Sequence, residues 1–205
     1  FEYDNGVKQL RPLQEQHSPD ENEDYAKVIA NLLREGKLVI IDQSLGDPEM
    51  NRSAAERIMW AIFERQKQDF VQPQVDREGK VLPPPEVLVY AEEAHNLLPS
   101  GTHFDTRNIW SRAAKEGSKY RIGLVYATQE PSSIQPNILK NTDNWFVAHL
   151  NNSDEVKELK KYYDFRDFAE QILKVPDPGF LRVKTLTNSF IVPVQIRRFD
   201  AREEL

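Results

Sequence analysis

Residues 87–93 read Val-Leu-Val-Tyr-Ala-Glu-Glu, an unbroken apolar run that stops at two adjacent carboxylates. A strand with one wet face alternates apolar and polar residues, whereas a continuous run implies burial on both faces. Strands of that kind belong to parallel sheets, and parallel strands need a crossover between them, usually a helix. This one run therefore asks for helices in the rest of the chain.

The helices are legible. Tyr25, Val28, Ile29, Leu32 and Leu33 recur at i, i+3, i+4, i+7 and i+8, one stripe of an amphipathic helix, and Gly36 stands where a helix C-cap is wanted. Leu38-Val39-Ile40-Ile41 reads as a buried strand ending in Asp42-Gln43-Ser44. A second helix is expected from the capping box Ser53 to Glu56, carrying Ile58, Met59, Ile62 and Phe63 inward as far as about Gln68. A polar loop with three consecutive prolines, Pro83 to Pro85, leads into the run at 87. Residues 105–116 can form a helix packed through Ile109, Trp110 and Ala113. Strands are expected at 121–126 and 145–150. A charged helix follows over 152–163, with Asn152 and Glu155 in a capping-box relation and Glu155, Lys157, Glu158, Lys160 and Lys161 on a solvated face. Tyr162, Tyr163, Phe165 and Phe168 read as core or subunit interface. Phe180–Lys184 and Phe190–Arg198 read as a closing antiparallel pair. The expectation is an α/β fold, a mostly parallel sheet with helices on both faces and a small C-terminal β-hairpin. Residues 1–24 read as a polar arm, 25–175 as the core, and 176–205 as the closing hairpin and tail.

Composition removes whole classes of function. The 205 residues contain 27 basic and 33 acidic side chains, net −6, so the chain does not coat nucleic acid by bulk charge. With no cysteine there is no disulfide, thiolate metal site or thiol catalysis. No apolar run approaches the roughly 20 residues needed to span a bilayer, and no secretory leader pattern opens at Phe1. A reducing, cytoplasmic setting is the expectation. The four histidines include no His-x-x-x-His pair, so a zinc site is not supported, and His95 reads as a polar residue bonded within its turn.

Glu92 and Glu93 follow a hydrophobic strand, where an open α/β sheet presents its active edge. Mg²⁺ takes oxygen ligands and keeps waters, so one carboxylate can hold it through its hydration shell. The other can orient or deprotonate the water that attacks a γ-phosphate. The next strand ends in Thr128-Gln129, and an amide at that tip can sense the γ-phosphate or hold the lytic water. Asp42, at the tip of the expected first strand, reads as a turn acid. The eight glycines include no Gly-x-x-x-x-Gly-Lys-Ser/Thr, so a Walker A phosphate loop is absent from this chain. Together with the start at Phe1, that reads as a piece of a longer protein.

The ordered series Glu92-Glu93-Ala94-His95-Asn96-Leu97-Leu98-Pro99, Lys115-Glu116-Gly117-Ser118-Lys119-Tyr120 and Leu124-Val125-Tyr126-Ala127-Thr128-Gln129-Glu130-Pro131-Ser132 resembles the HerA/FtsK group of hexameric ATPases, the HerA branch above all. Lys37–Ser44 resembles the strand preceding Walker B in that group, and Pro178-Gly179-Phe180 with Val192-Pro193-Val194 its closing hairpin. The resemblance spans roughly residues 25–198. It implies a RecA-like P-loop NTPase core of which this chain is the C-terminal part, with the phosphate loop upstream. Glu92 would then hold Mg²⁺ through water, Glu93 would be the catalytic glutamate and Gln129 the sensor. The family usually writes Glu-Gly-Arg-Lys-Tyr where this chain has Ser118, which cannot supply the charge. Arg112, Lys119 and Arg121 are the candidates for phosphate contact or for an arginine finger. Thr102, His103 and Arg107, in the loop after the acidic pair, are the DNA-facing candidates.

By the same resemblance the full-length parent is an ATP hydrolase with Mg²⁺ and ATP as cofactors. It would be a homo-hexamer translocating double-stranded DNA, working with a nuclease or other effector in DNA end processing or phage defence, while this piece alone is inactive. Two other readings stand beside it: a non-catalytic ring or scaffold subunit, and a membrane-associated conjugation or secretion pump.

Overall fold

The computed structural model describes residues 24–100, 108–174 and 176–199. By internal contacts the chain divides into two compact units, Phe1–Ala91 with Asp105–Tyr126, and Glu92–Phe104 with Ala127–Leu205.

In the first unit, helix α1 (Tyr25–Arg34) starts at the Asp24 cap, whose carboxylate accepts from the Ala26 amide, and ends before Gly36 at φ +76°. Helix α2 (Pro48–Val71) starts one and a half turns earlier than the Ser53 box suggests. Asp47 accepts from the Glu49 and Met50 amides, and Pro48 sits at the first helical position, where its missing N–H costs nothing. Ile58, Met59, Ile62 and Phe63 are buried as expected. Arg34 reaches the buried Asp69 at 2.8 Å and ties α1 to α2. A short antiparallel pair, β1 (Gln74–Val75) and β2 (Val81–Leu82), occupies the polar loop, closed by Asp76 accepting from Glu78 and Lys80.

Strands β3 (Val87–Ala91) and β4 (Ile122–Tyr126) pair in parallel, Val87 opposite Ile122 and Ala91 opposite Tyr126. Helix α3 (Ile109–Glu116) is the crossover, capped by Asn108 and packed through Ile109, Trp110 and Ala113. It reaches β4 through a 3₁₀ turn, Gly117–Tyr120. A β-carbon on Gly117 would stand 3.0 Å from the Ile122 carbonyl oxygen, so glycine lets this turn lie against β4 without pushing that backbone away. Parallel strands share no tight turn, and here the amide of the buried Gln66 spans their entries. Its Nε2 donates to the Pro85 carbonyl at 2.7 Å and the Tyr120 carbonyl at 3.0 Å.

Two expectations are corrected here. Burial along β3 alternates although its composition does not: Val87 and Ala91 are buried, while Leu88 and Tyr90 are 68% and 59% exposed. Within this unit one face of the pair is covered, and Leu88, Tyr90 and Val125 stand exposed on the other. Leu38-Val39-Ile40-Ile41 forms no strand, and Leu38 and Ile40 are 87% and 83% exposed. The apolar run lacks a neighbouring strand among the described residues, and β-propensity without a ladder does not make a strand.

In the second unit, β5 (Trp145–Val147), β6 (Phe180–Thr185) and β7 (Asn188–Gln195) form an antiparallel sheet in the order β5-β6-β7. The hairpin is present, turning at 186–187, but the strand expected at 145–150 joins it instead of extending the parallel sheet. Trp145 gathers Tyr162, Tyr163 and Phe165 at ring-centroid distances of 5.9, 5.7 and 6.4 Å; Trp145 and Phe165 are buried core, and the two tyrosines are half-buried at its margin. Arg182, in the middle strand, is fully buried with its guanidinium 4.5 Å from the Phe180 ring centroid. Burial lowers its pKa, and the ring face is the compensation it finds among the described residues. Helices α4 (Pro136–Lys140), α5 (Ser153–Leu159) and α6 (Ala169–Lys174) complete the unit.

Candidate functional site

The second unit brings together two segments that follow the ends of β3 and β4 in the chain. Residues 94–100 are stitched to 127–135 by backbone bonds: the Ala94 amide to the Ala127 carbonyl at 2.9 Å, Ser100 to Ser133 at 2.6 Å and Gln135 to Leu98 at 3.0 Å. Ala94 and Leu98 are fully buried beneath this seam. The chain turns into it at Glu93, which takes a left-handed conformation, φ 45° and ψ 49°. Non-glycine residues seldom adopt it, and where the surroundings enforce it the residue is often functional.

The turn sets the side chains. Gln129 Nε2 donates to Glu93 Oε1 at 3.3 Å. His95 Nδ1 lies 3.4 Å from Glu93 Oε2 and 3.4 Å from the Thr128 hydroxyl. Thr128 Oγ1 in turn accepts from the Glu130 amide at 3.0 Å. The acid and the amide expected to act together are thus in contact, and each carboxylate oxygen of Glu93 has a partner. Glu92 is exposed, with no partner of its own among the described residues. No group of three or more His, Cys, Asp or Glu among them is arranged to hold a metal. One free carboxylate fits Mg²⁺, which keeps its waters and is completed by substrate phosphates, and does not fit a dedicated protein cage.

The turn after Gln129 is fixed from an unexpected direction. Glu155, expected on a solvated face and as partner to the Asn152 cap, is only 8% exposed. It accepts from the Ser132 amide at 2.8 Å and the Ser132 hydroxyl at 2.7 Å, while Asn152 caps α5 through the Asp154 amide. Lys157 on Asp154 faces solvent as expected, whereas Glu158 is largely covered, accepting from the Tyr162 hydroxyl and, from beyond the helix, pairing with the exposed Lys161. No spacing rule could have singled out Glu155, because its partner is 23 residues away. Thr128 and His95 were visible as polar residues, but their shared contact was not.

The cation candidates lie in the other unit. Arg112 rests on the Phe63 ring at 4.7 Å, with Glu64 and Glu116 each at 3.8 Å. Arg121, itself left-handed at φ 61°, pairs with Glu86 at 2.6 Å. Lys119 is exposed and lies over the Phe70 and Tyr120 rings, with no carboxylate partner among the described residues. Asp42 is a turn acid, held below its ordinary pKa by hydrogen bonds from the Ser44 amide and hydroxyl. Thr102, His103 and Arg107 lie outside the described residues.

The fold has solved counterparts among nucleoside triphosphatases. The genome-packaging NTPase B204 of Sulfolobus turreted icosahedral virus 2, in its sulfate complex, superposes with a TM-score of 0.57 at 15% identity, covering 92% of this chain and 89% of that one. Its ATP-γS complex gives 0.56 over 80% and 69%. In sequence, the chain is similar to DNA double-strand break repair helicases HerA: 26% identity over 146 residues with that of Sulfurisphaera tokodaii, and 24% over 140 residues with that of Pyrococcus furiosus. These alignments cover 71% and 58% of this chain and 28% and 25% of the relatives, so the chain spans about a quarter of their length. No protein-family model matches. The similarity bears out the HerA-type resemblance carried by the ordered motifs. Among the described residues, no helix is long and apolar enough to cross a membrane.

Proposed function

We propose that this chain is part of an ATP-driven DNA translocase of the HerA type, hydrolysing ATP with Mg²⁺ at the subunit boundaries of a homo-hexamer that moves along double-stranded DNA. The carrying observation is the contact between Glu93 and Gln129, an acid and an amide supplied by two successive strand ends. Glu93 accepts a hydrogen bond from the attacking water, orients it toward the γ-phosphorus and takes its proton. Gln129, bonded to that carboxylate, reports the presence of the γ-phosphate by exchanging this bond for one to the phosphate. Glu92 holds the hydrated Mg²⁺, which supplies charge neutralisation on the phosphates. The phosphate loop is expected in the part of the protein outside this chain, which agrees with the short coverage of the relatives.

The test uses the full-length protein carrying this chain. Glu93→Gln should lower kcat by about 10²-fold or more, the range of a lost general base, with nucleotide binding retained. An unchanged rate would overturn the catalytic assignment, and a lack of DNA-stimulated turnover would overturn the translocase reading. A second reading, a non-catalytic ring subunit, is favoured by Ser118 and by Arg112 and Arg121 being engaged with carboxylates. It predicts a full-length protein that assembles yet shows no hydrolysis for Glu93→Gln to remove.

A further inference from the structure

Gln129 is exposed, so packing does not aim its amide. Its direction is set by the backbone that carries it, together with the 3.3 Å bond to Glu93. That backbone enters a stiff turn. Pro131 is buried and locks its own φ, and it restricts Glu130 before it, which lies at φ −124° and ψ 75°. The Glu130 amide donates to the Thr128 hydroxyl at 3.0 Å, the Ser133 amide to the Glu130 carbonyl at 3.0 Å, and the Ser133 hydroxyl to Glu130 Oε2 at 3.1 Å. Residues 128–133 are thus braced as one piece, and what anchors the turn decides where Gln129 points.

Two anchors hold it. On one side the Ser133 carbonyl accepts from the Ser100 amide at 2.6 Å, within the seam to residues 94–100. On the other, Ser132 gives both of its donors to the Glu155 carboxylate, the amide at 2.8 Å and the hydroxyl at 2.7 Å. Glu155 is only 8% exposed and stands on α5, which is packed through Val156 and Leu159. A pair of bonds to one carboxylate, carried on a packed element, fixes geometry as well as adding energy. We infer that Glu155 is a positioning residue for Gln129, clamping the turn at Ser132 so that the amide is aimed at the γ-phosphate of bound ATP. This rests on the reading of Gln129 as the residue that senses that phosphate. The carboxylate acts through Ser132, three residues on from Gln129, and takes no part in the chemistry.

The experiment measures equilibrium binding of ATP-γS and of ADP to the full-length protein, the ratio of the two affinities isolating the γ-phosphate. Glu155→Ala should reduce the preference for ATP-γS about tenfold, the share of one hydrogen bond to a charged group, with ADP affinity unchanged. Glu155→Gln, which still accepts from the amide and can donate to the hydroxyl oxygen, should keep the preference near the parent value. In a Gln129→Ala background Glu155→Ala should change nothing further, because the group it aims is gone. A merely structural role would lower both affinities and act equally in both backgrounds. Leu159→Ala, a buried change on the same helix, supplies that comparison and should leave the preference intact. If the parent shows no preference for ATP-γS, or Gln129→Ala leaves it intact, the sensor reading of Gln129 fails and the inference with it. If Gln129→Ala removes the preference but Glu155→Ala does not, or Glu155→Ala acts equally in both backgrounds, the inference alone fails. Should Glu155→Ala not fold, Ser132→Ala decides between the same outcomes. Losing one of the two bonds should reduce the preference about threefold in the parent and not at all in Gln129→Ala.

Discussion

Glu155→Ala is the most informative change to make in the second unit. The carboxylate accepts two hydrogen bonds from one residue, the Ser132 amide at 2.8 Å and the Ser132 hydroxyl at 2.7 Å. Bonds to a charged group contribute about 1.5–3 kcal/mol each, and Ser132 is partly accessible, so water can return to it and the lower end applies. Glu155 also lies in the first turn of α5, where a negative charge adds roughly 0.5 kcal/mol. The sum is about 3.5 kcal/mol, which for a unit of this size lowers Tm by roughly 10 °C or more. The smaller changes order themselves. Ser132→Ala removes only the hydroxyl bond and should cost about half as much. Glu155→Gln should cost about 1 kcal/mol, because its oxygen can still accept from the amide while its NH₂ donates to the hydroxyl oxygen. Chemical denaturation of the chain carrying each variant, with Lys157→Ala as exposed control, reads these values directly. A Glu155→Ala variant within about 0.5 kcal/mol of the control would refute the reasoning, since that is the range of an ordinary surface change.

In the first unit, Gln66→Met keeps the length of the side chain but leaves the Pro85 and Tyr120 carbonyls without their donor. Denaturant titration should show a loss of about 2 kcal/mol, with Gln66→Glu worse because it also buries a charge. Burial raises the Glu56 carboxyl above its ordinary value of 4.5, against a smaller opposing pull from Arg52. The folded state then holds that proton more tightly than the unfolded one, so its stabilisation is present below pH 4.5 and is lost as pH rises through the raised value. Thermal melts of Glu56→Gln should accordingly gain on the parent at neutral pH, with the gap closing in acid.

What the sequence displayed was whatever depends on near neighbours. The α1 stripe, the Gly36 stop, the inward face of α2 and the two strand ends all follow from periods of a few residues. Two things were hidden. One was the origin of α2, because Ser53 and Glu56 mimic a capping box while the Asp47-Pro48 start is equally strong. The other was everything fixed by distant partners: Gln66 with Tyr120, Glu155 with Ser132, and the failure of Leu38–Ile41 to find a strand to pair with. At the candidate site, Glu93 and Gln129 were legible because each ends an apolar run. The contact of His95 with Glu93 follows the left-handed turn at Glu93, which no residue type announces.

The bridge made by Gln66 bears on the order in which the first unit is built. The residues between β3 and β4 form a crossover too long to fix their alignment, and the Gln66 amide on α2 ties together the carbonyls that precede the two strands where Val87 stands opposite Ile122. A slip by one residue would turn the outward side chains of one strand inward. The same helix packs on the entry of β4 through Phe63 and Tyr120, in edge contact at 5.3 Å. The helix has local contacts and the parallel pair a large loop-closure cost, so φ-values are expected to be higher in α2 than in the two strands.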